Sequence, residues 1–335
     1  MSGADTGAPG AGAHGAWPLR LCAPWYWPTW LALGLLRGLA RLSHARLLRI
    51  GAALGGALWH LPLPQKRVVR RNLALCLPEL DAAARERLAR RHFREAGITL
   101  GETALAWFAP PLRLLGLVRF EGLGELDRLQ ASGRGAILLA AHFTTLEIGA
   151  RFATAARPVH AVYKPSQNAL LEEAFRRYRG AVSAGMIASD DIRAMVRVLK
   201  AGGAVWYAPD QAFRGKGARM VPFFGTPAAT NTATSRLARM TGAAVLPYFV
   251  ERLPGPGDPL RQVPGDPLRQ GPGEAAYVVR IGAPLADFPG ADEVEDTLRH
   301  HRLIEAAARR LPAQYLWLHK RFKGLTPDHP DPYAR

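Results

Sequence analysis

The run Gly135 to Arg151, GAILLAAHFTTLEIGAR, constrains the fold more than any other part of the chain. Gly135 to Ala141 carries no charge and leads straight into His142, which is the pattern of a strand buried on both faces that delivers a polar residue at its carboxyl end. Open α/β sheets place ligands and chemistry at that end. Five residues on, Glu147 stands among Leu146, Ile148, Gly149 and Ala150. On one continuous helix an i,i+5 pair is rotated by roughly 140°. His142 and Glu147 therefore meet only if the histidine lies in the turn ahead of the helix. So placed, the imidazole can act as a general base while the carboxylate fixes its tautomer. Two plainer readings stay open at this point. Thr144-x-x-Glu147 also fits a capping box, and a single histidine after a strand can be a hydrogen-bonded core residue.

Charge narrows the class of partner. The chain has 335 residues with 44 Lys and Arg against 27 Asp and Glu, a net charge of +17, so it attracts something anionic. Before Glu79 the only acid is Asp5, while Arg20, Arg37, Arg41, Arg46, Arg49, Lys66, Arg67, Arg70 and Arg71 are interleaved with apolar and aromatic stretches. That order reads as a membrane surface rather than a nucleic-acid arm. Cys22 and Cys76 form neither a disulfide framework nor a C-x-x-C metal pattern.

Residues 1–16 are rich in Gly and Ala and read as a disordered tail. Their G-x-G-x-x-G at Gly10, Gly12 and Gly15 follows no strand and opens no helix, so it is not a dinucleotide site. Residues 17–63 hold two uncharged runs, Leu21 to Leu36 and Ile50 to Leu63. Both fall short of the roughly 20 residues that span a bilayer, and Pro24 and Pro28 interrupt the first. They read as an interfacial anchor or inserted hairpin, with a single span as the competitor and an amphipathic pair packed on the globular domain as the plain alternative.

The rest, residues 64–327, reads as one α/β domain. Arg67 to Phe108 is mainly helical, with Leu88, Phe93 and Leu100 among its buried candidates, and Pro110-Pro111 ends it. Strands at Gly135 to Ala141, Val159 to Tyr163, Ala204 to Ala208, Ala243 to Val250 and Ala276 to Ile281 alternate with helices near 145–156, 170–179, 192–200 and 229–240. A helix from about Asp292 to Leu311 follows. Residues 255–273 hold a tandem repeat, GPGDPLRQ then VPGDPLRQ, whose prolines prevent ladder pairing, so the segment reads as a mobile surface loop. Residues 328–335 read as a tail.

Three clusters accompany His142. Tyr163-Lys-Pro-Ser-Gln-Asn168 follows one strand, Trp206-Tyr-Ala-Pro-Asp-Gln211 ends another, and Val221-Pro-Phe-Phe-Gly225 follows a basic loop with Arg214, Lys216 and Arg219. Polar groups just past several strand ends can gather at a single sheet edge. Taken with YWPTWLALG near the start, RRNLALCLPEL at 70–80, HFTTLEIGAR at 142–151 and QYLWLHKRFK at 314–323, the ordered set resembles the late acyltransferases of lipid A biosynthesis. The likeness runs from about Tyr26 to Pro327. Lys164 stands where that family usually has arginine, and Ala181 where it has a basic residue.

The resemblance implies a glycerolphosphate-acyltransferase-like fold: a single sheet flanked by helices, with an N-terminal hydrophobic membrane anchor, on the cytoplasmic face of the inner membrane. It implies His142 and Glu147 as the catalytic pair and places Arg151, Lys164, Asn168, Asp210 and Gln211 at the substrate. The donor it implies is acyl carrier protein, and the acceptor is the lipid A precursor. Anionic membrane lipids are further expected partners; nucleic acid is not. An acyl thioester is already activated, so a base for the acceptor hydroxyl and a donor for the oxyanion suffice, and neither metal nor cofactor is called for. The absence of G-x-S-x-G or a reactive-cysteine context favours direct transfer. A glycerophospholipid acyltransferase is the alternative, since it shares H-x4-E but need not carry the YAPDQ and QYLWLHKRFK blocks.

Overall fold

A computed structural model of the protein describes residues 16–215, 217–254, 275–323 and 331–334. The tandem repeat and Gly10 to Gly15 lie outside the described residues. After two short 3₁₀ turns come α1 (Trp27–Leu39), α2 (His44–Leu58), α3 (Gln65–Cys76), α4 (Ala82–Phe108), α5 (Pro111–Leu115), β1 (Val118–Glu121), α6 (Leu123–Ala131) and β2 (Ala136–Leu139). They are followed by α7 (Leu146–Ala156), β3 (Val159–Tyr163), α8 (Ala169–Ala174), β4 (Gly185–Ala188), α9 (Ile192–Lys200) and β5 (Ala204–Tyr207). The chain continues with β6 (Arg219–Phe223), β7 (Thr226–Thr230), α10 (Ala233–Thr241), β8 (Ala244–Arg252), β9 (Tyr277–Ile281) and α11 (Glu293–Arg310).

The central sheet has seven strands in the order β1-β9-β8-β2-β5-β3-β4. Five neighbours run parallel, and the β8–β9 pairing is antiparallel, so the sheet is mixed. The expectation of one sheet needs amending, because β6 and β7 form a separate two-stranded hairpin. Strand β2 explains the uncharged run. Ala136 and Leu138 pack with Ile148 and Phe152 of α7, whereas Ile137 and Leu139 pack with Met195 and Leu199 of α9 and Leu237 of α10. Alternate residues face opposite layers, and both layers are apolar.

The long helical region divides at Cys76, and α4 restarts where the Asp81 carboxylate accepts the Ala84 N–H at 2.6 Å. Phe93 is buried as expected, but Leu100 is 38% exposed.

Helices α2 and α4 touch backbone to backbone. A Cβ on Gly55 would stand 2.1 Å from the Phe93 carbonyl oxygen, and one on Gly97 2.2 Å from the Gly51 carbonyl oxygen. Gly51 and Gly55 thus face Gly97, and Gly101 faces Leu47 one turn further along, which lets the helix axes approach closely. A buried ionic cluster ties this pair to the sheet. Arg252 at the end of β8 donates to both oxygens of Glu102, at 2.7 and 2.6 Å, and also pairs with Glu95. Tyr277 donates to Glu102 at 2.9 Å and lies 3.0 Å from His44 Nε2.

Among the described residues no helix is long and apolar enough to cross a membrane. The two N-terminal helices pack onto the domain, with Leu33 and Leu47 buried. Their outer surface stays apolar: Trp25 is 73% and Leu31 76% exposed, with Trp27, Leu35, Ile50, Leu54 and Leu58 also outward.

Candidate active site

Strands β2, β5 and β3 are neighbours and parallel, so their carboxyl ends bring His142, Asp210 and Lys164 to one edge. His142 lies in the turn between β2 and α7, as its position after an uncharged strand predicts. Its partner is a different carboxylate from the expected one. Nδ1 of His142 stands 2.6 Å from Asp210 Oδ1, and the His142 backbone N–H donates to the same carboxylate at 2.9 Å. Asp210 is 2% exposed and also accepts the Tyr315 hydroxyl at 3.0 Å. Burial by itself works against ionisation; the facing His142 and its hydrogen bonds outweigh it and hold the Asp210 carboxyl down to about 2. A carboxylate on Nδ1 leaves Nε2 as the proton-accepting nitrogen.

Glu147 is held elsewhere. Its Oε2 accepts from Trp107 Nε1 at 2.9 Å and from Arg179 Nε at 3.1 Å, and a second Arg179 nitrogen pairs with Oε1. The Arg179 guanidinium in turn lies 3.9 Å over the Phe175 ring. Neither orientation of His142 nor the capping box uses this carboxylate, because α7 begins only at Leu146 and Arg179 outcompetes both as a partner.

His142 opens on a cavity of about 450 Å³ between α7 and the ends of β3 and β5. Its polar lining includes Glu147, Arg151, Lys164, Arg179 and Gln211; its apolar lining includes Leu146, Ala150, Ala161, Met186 and Trp206. Arg151 is 5% exposed, its Nε has no hydrogen-bond partner among the described residues, and burial lowers its pKa. A buried guanidinium without a carboxylate is costly, and an anion entering the cavity would offset that cost. Trp206 Nε1 is likewise buried without a partner among the described residues. No group of three or more His, Cys, Asp or Glu among them could hold a metal ion.

The structure thus brings His142, Glu147, Arg151, Lys164 and Gln211 to the cavity and sets Asp210 behind His142. It leaves out Asn168. That side chain caps α8 by accepting from Leu170 and Leu171 N–H at 3.0 and 3.1 Å, and it donates to Thr29 Oγ1 of α1 at 3.0 Å. These bonds fix the β3–α8 turn, and Asn168, expected at the substrate, does not line the cavity. Sequence reasoning missed Arg179, Trp107 and Tyr315. Of these, only Tyr315 lay in a motif already singled out.

A mixed sheet that sets a carboxylate-held histidine at the mouth of a largely apolar cavity is suited to deprotonating a hydroxyl beside an apolar ligand. Comparison with known proteins agrees. The model of the family described as bacterial lipid A biosynthesis acyltransferase matches residues 18–324. The chain is 34% identical over 301 residues to an Escherichia coli lipid A biosynthesis palmitoleoyltransferase, covering 90% of this chain and 92% of that protein. It is 34% identical over 308 residues to an E. coli lipid A biosynthesis lauroyltransferase, covering 90% and 94%. A Haemophilus influenzae lipid A biosynthesis acyltransferase is 32% identical over 314 residues, covering 92% and 94%. The chain belongs to the bacterial lipid A biosynthesis acyltransferase family. The glycerophospholipid alternative is not favoured.

Proposed function

We propose that this enzyme transfers a fatty acyl chain from an acyl carrier protein thioester to a hydroxyl of the lipid A precursor, with His142 as general base. The observation that carries the reading is the 2.6 Å contact between His142 Nδ1 and the buried Asp210 at the mouth of the cavity. His142 Nε2 takes the hydroxyl proton as the acceptor oxygen attacks the thioester carbonyl. The tetrahedral intermediate collapses, the C–S bond breaks, and the imidazolium returns the proton to the departing thiolate. Asp210 stabilises that imidazolium without taking its proton. Glu147 acts through Arg179, holding the cavity wall rather than the base. Arg151 and Lys164 supply positive charge for phosphate on the acceptor or on the carrier's prosthetic arm. Leu146, Ala150, Ala161, Met186 and Trp206 line the acyl groove, in a cavity of ordinary size for a ligand pocket.

The site works at the cytoplasmic face of the inner membrane. The exposed Trp25, Trp27, Leu31, Leu35, Leu54 and Leu58, bordered by Arg37, Arg41, Arg46 and Arg49, form a surface that lies on anionic lipid without spanning it.

The test is to incubate purified enzyme with acyl carrier proteins of graded chain length and the lipid A precursor, then weigh the product by mass spectrometry. Product heavier by one acyl group, absent with His142→Ala, is the expected result. Acylation of glycerol phosphates in place of the lipid A precursor would overturn the acceptor assignment.

A further inference from the structure

The stretch Gln314 to Phe322 runs behind the His142–Asp210 pair. Its side chains Tyr315, Trp317, His319 and Arg321 line a separate small cavity with Asp210, and none of them lines the large one. Its backbone grips the turn after β2: Thr144 N–H donates to the Gln314 carbonyl at 2.7 Å and Leu316 N–H to the His142 carbonyl at 2.9 Å. It reaches the turn after β5 through two side chains. Tyr315 donates to Asp210, and His319 Nε2 stands 3.0 Å from the Ala212 backbone nitrogen. A backbone N–H can only donate, so Nε2 must be the unprotonated nitrogen and His319 is neutral. Its surroundings agree, since burial first and the nearby His142 second keep its pKa down to about 4.

This strap is itself clamped. Asn72 of α3 donates to the carbonyls of Trp317 and His319, at 2.6 and 2.8 Å. Arg321 donates to the Ala229 carbonyl at 2.7 Å and to Thr230 Oγ1 at 2.6 Å. The Phe322 N–H donates to the Tyr333 hydroxyl, which donates to Asn72. So many partners at the far end make His319 and Tyr315 fixed points, to which the turn after β5 is tied.

We propose that His319 and Tyr315 are positioning residues for the acyl transfer proposed above, locking the Asp210–Ala212 turn so that the carboxylate meets His142 Nδ1, with neither side chain touching substrate. A different acceptor at position 319 should then substitute. The carbonyl oxygen of glutamine reaches about as far as Nε2 of histidine and can take the Ala212 N–H, whereas leucine cannot.

The experiment uses the full chain with His319→Gln, His319→Leu and Tyr315→Phe, read by steady-state kinetics and by the downfield proton resonance of His142 Nδ1–H, assigned through its loss in His142→Ala. His319→Leu should lower kcat by about ten- to a hundredfold with KM within about twofold, and should shift or broaden the resonance. His319→Gln should restore kcat to within about threefold. Tyr315→Phe should cost about tenfold in kcat, one hydrogen bond to a charged group. Unchanged kcat and resonance in His319→Leu overturn the proposal, as does a raised KM at constant kcat, which marks a substrate contact. If His319→Leu fails to fold, Tyr315→Phe decides, and an unaltered resonance there overturns it. Failure of the wild-type chain to transfer acyl groups would sink the functional reading instead, while the resonance still judges the positioning.

Discussion

Replacing Asp210 by asparagine separates the two carboxylates that compete for a catalytic role. In the wild type one oxygen of Asp210 faces His142 Nδ1, and the other accepts from the His142 backbone and Tyr315. An asparagine has only one acceptor oxygen. If it keeps that oxygen on Nδ1, its NH₂ confronts two donors; if it turns over, the NH₂ faces Nδ1 and drives the imidazole proton to Nε2. The first outcome loses a charge-assisted hydrogen bond of about 1.5–3 kcal/mol, or roughly 10- to 150-fold in rate. The second disables the base, for which a loss of ~10⁴ is known in serine-protease triads. We therefore expect Asp210→Asn to lower kcat by at least about tenfold and by up to ~10⁴-fold. Glu147→Gln should cost no more than about tenfold, since glutamine still accepts from Trp107, and the partly exposed Arg179 ion pair contributes only about 1 kcal/mol. Single-turnover acyl transfer under saturating donor measures both. A greater loss in Glu147→Gln than in Asp210→Asn would refute the assignment of roles.

Other outcomes can be stated briefly. Asp210 titrates near 2 in the folded chain against an ordinary 3.8, so its contribution to stability is complete above about pH 4 and is lost as pH falls toward 2. Urea midpoints between those pH values should therefore fall more in the wild type than in Asp210→Asn. Gly55→Ala should destabilise the fold by about 1–3 kcal/mol, because its Cβ meets the Phe93 carbonyl, whereas Gly34→Ala on the open face of α1 should stabilise by up to ~1 kcal/mol; thermal unfolding reports both. Aspartate at Leu31, Leu35, Leu54 and Leu58 together should release the protein from anionic vesicles in a high-salt wash that the wild type survives, since salt screens charge within about 8 Å but not apolar burial. Retention of that variant would place the membrane contact elsewhere. Excising residues 255–270 should leave the melting temperature and turnover nearly unchanged, because Leu253 N–H already bonds the Ala276 carbonyl at 2.9 Å and a short connection can close β8 to β9.

What the chain disclosed before folding follows the range of the interactions involved. Strand β3 and helices α7 and α9 were legible because their signals are local: an uncharged run, a 3.6-residue apolar period, flanking caps and glycines. The hairpin β6–β7 was hidden because Pro222 and Pro227 argue against a strand, yet they sit directly opposite each other in a ribbon that has two free edges. Strands β1 and β4 are four residues long and mostly half-buried, too short for alternation to show. The carboxylate that contacts the histidine was hidden for the same kind of reason. Glu147 is near in sequence, whereas Asp210 is 68 residues away and arrives by the β2–β5 pairing, which no local pattern encodes. The APDQ cluster after a strand was the available signal, and it named the residue without naming its role.

The strap also fixes when in the life of the chain this centre becomes whole. Tyr315 lies 105 residues beyond the Asp210 it supports. At ~5–20 residues per second of synthesis, about 5–20 s separate the emergence of the two. During that interval a nascent chain carries both His142 and Asp210 but not the segment that aligns them. Translation past Tyr315 is thus a condition for full turnover, and a chain broken off before residue 314 should be a poor catalyst rather than an unregulated one.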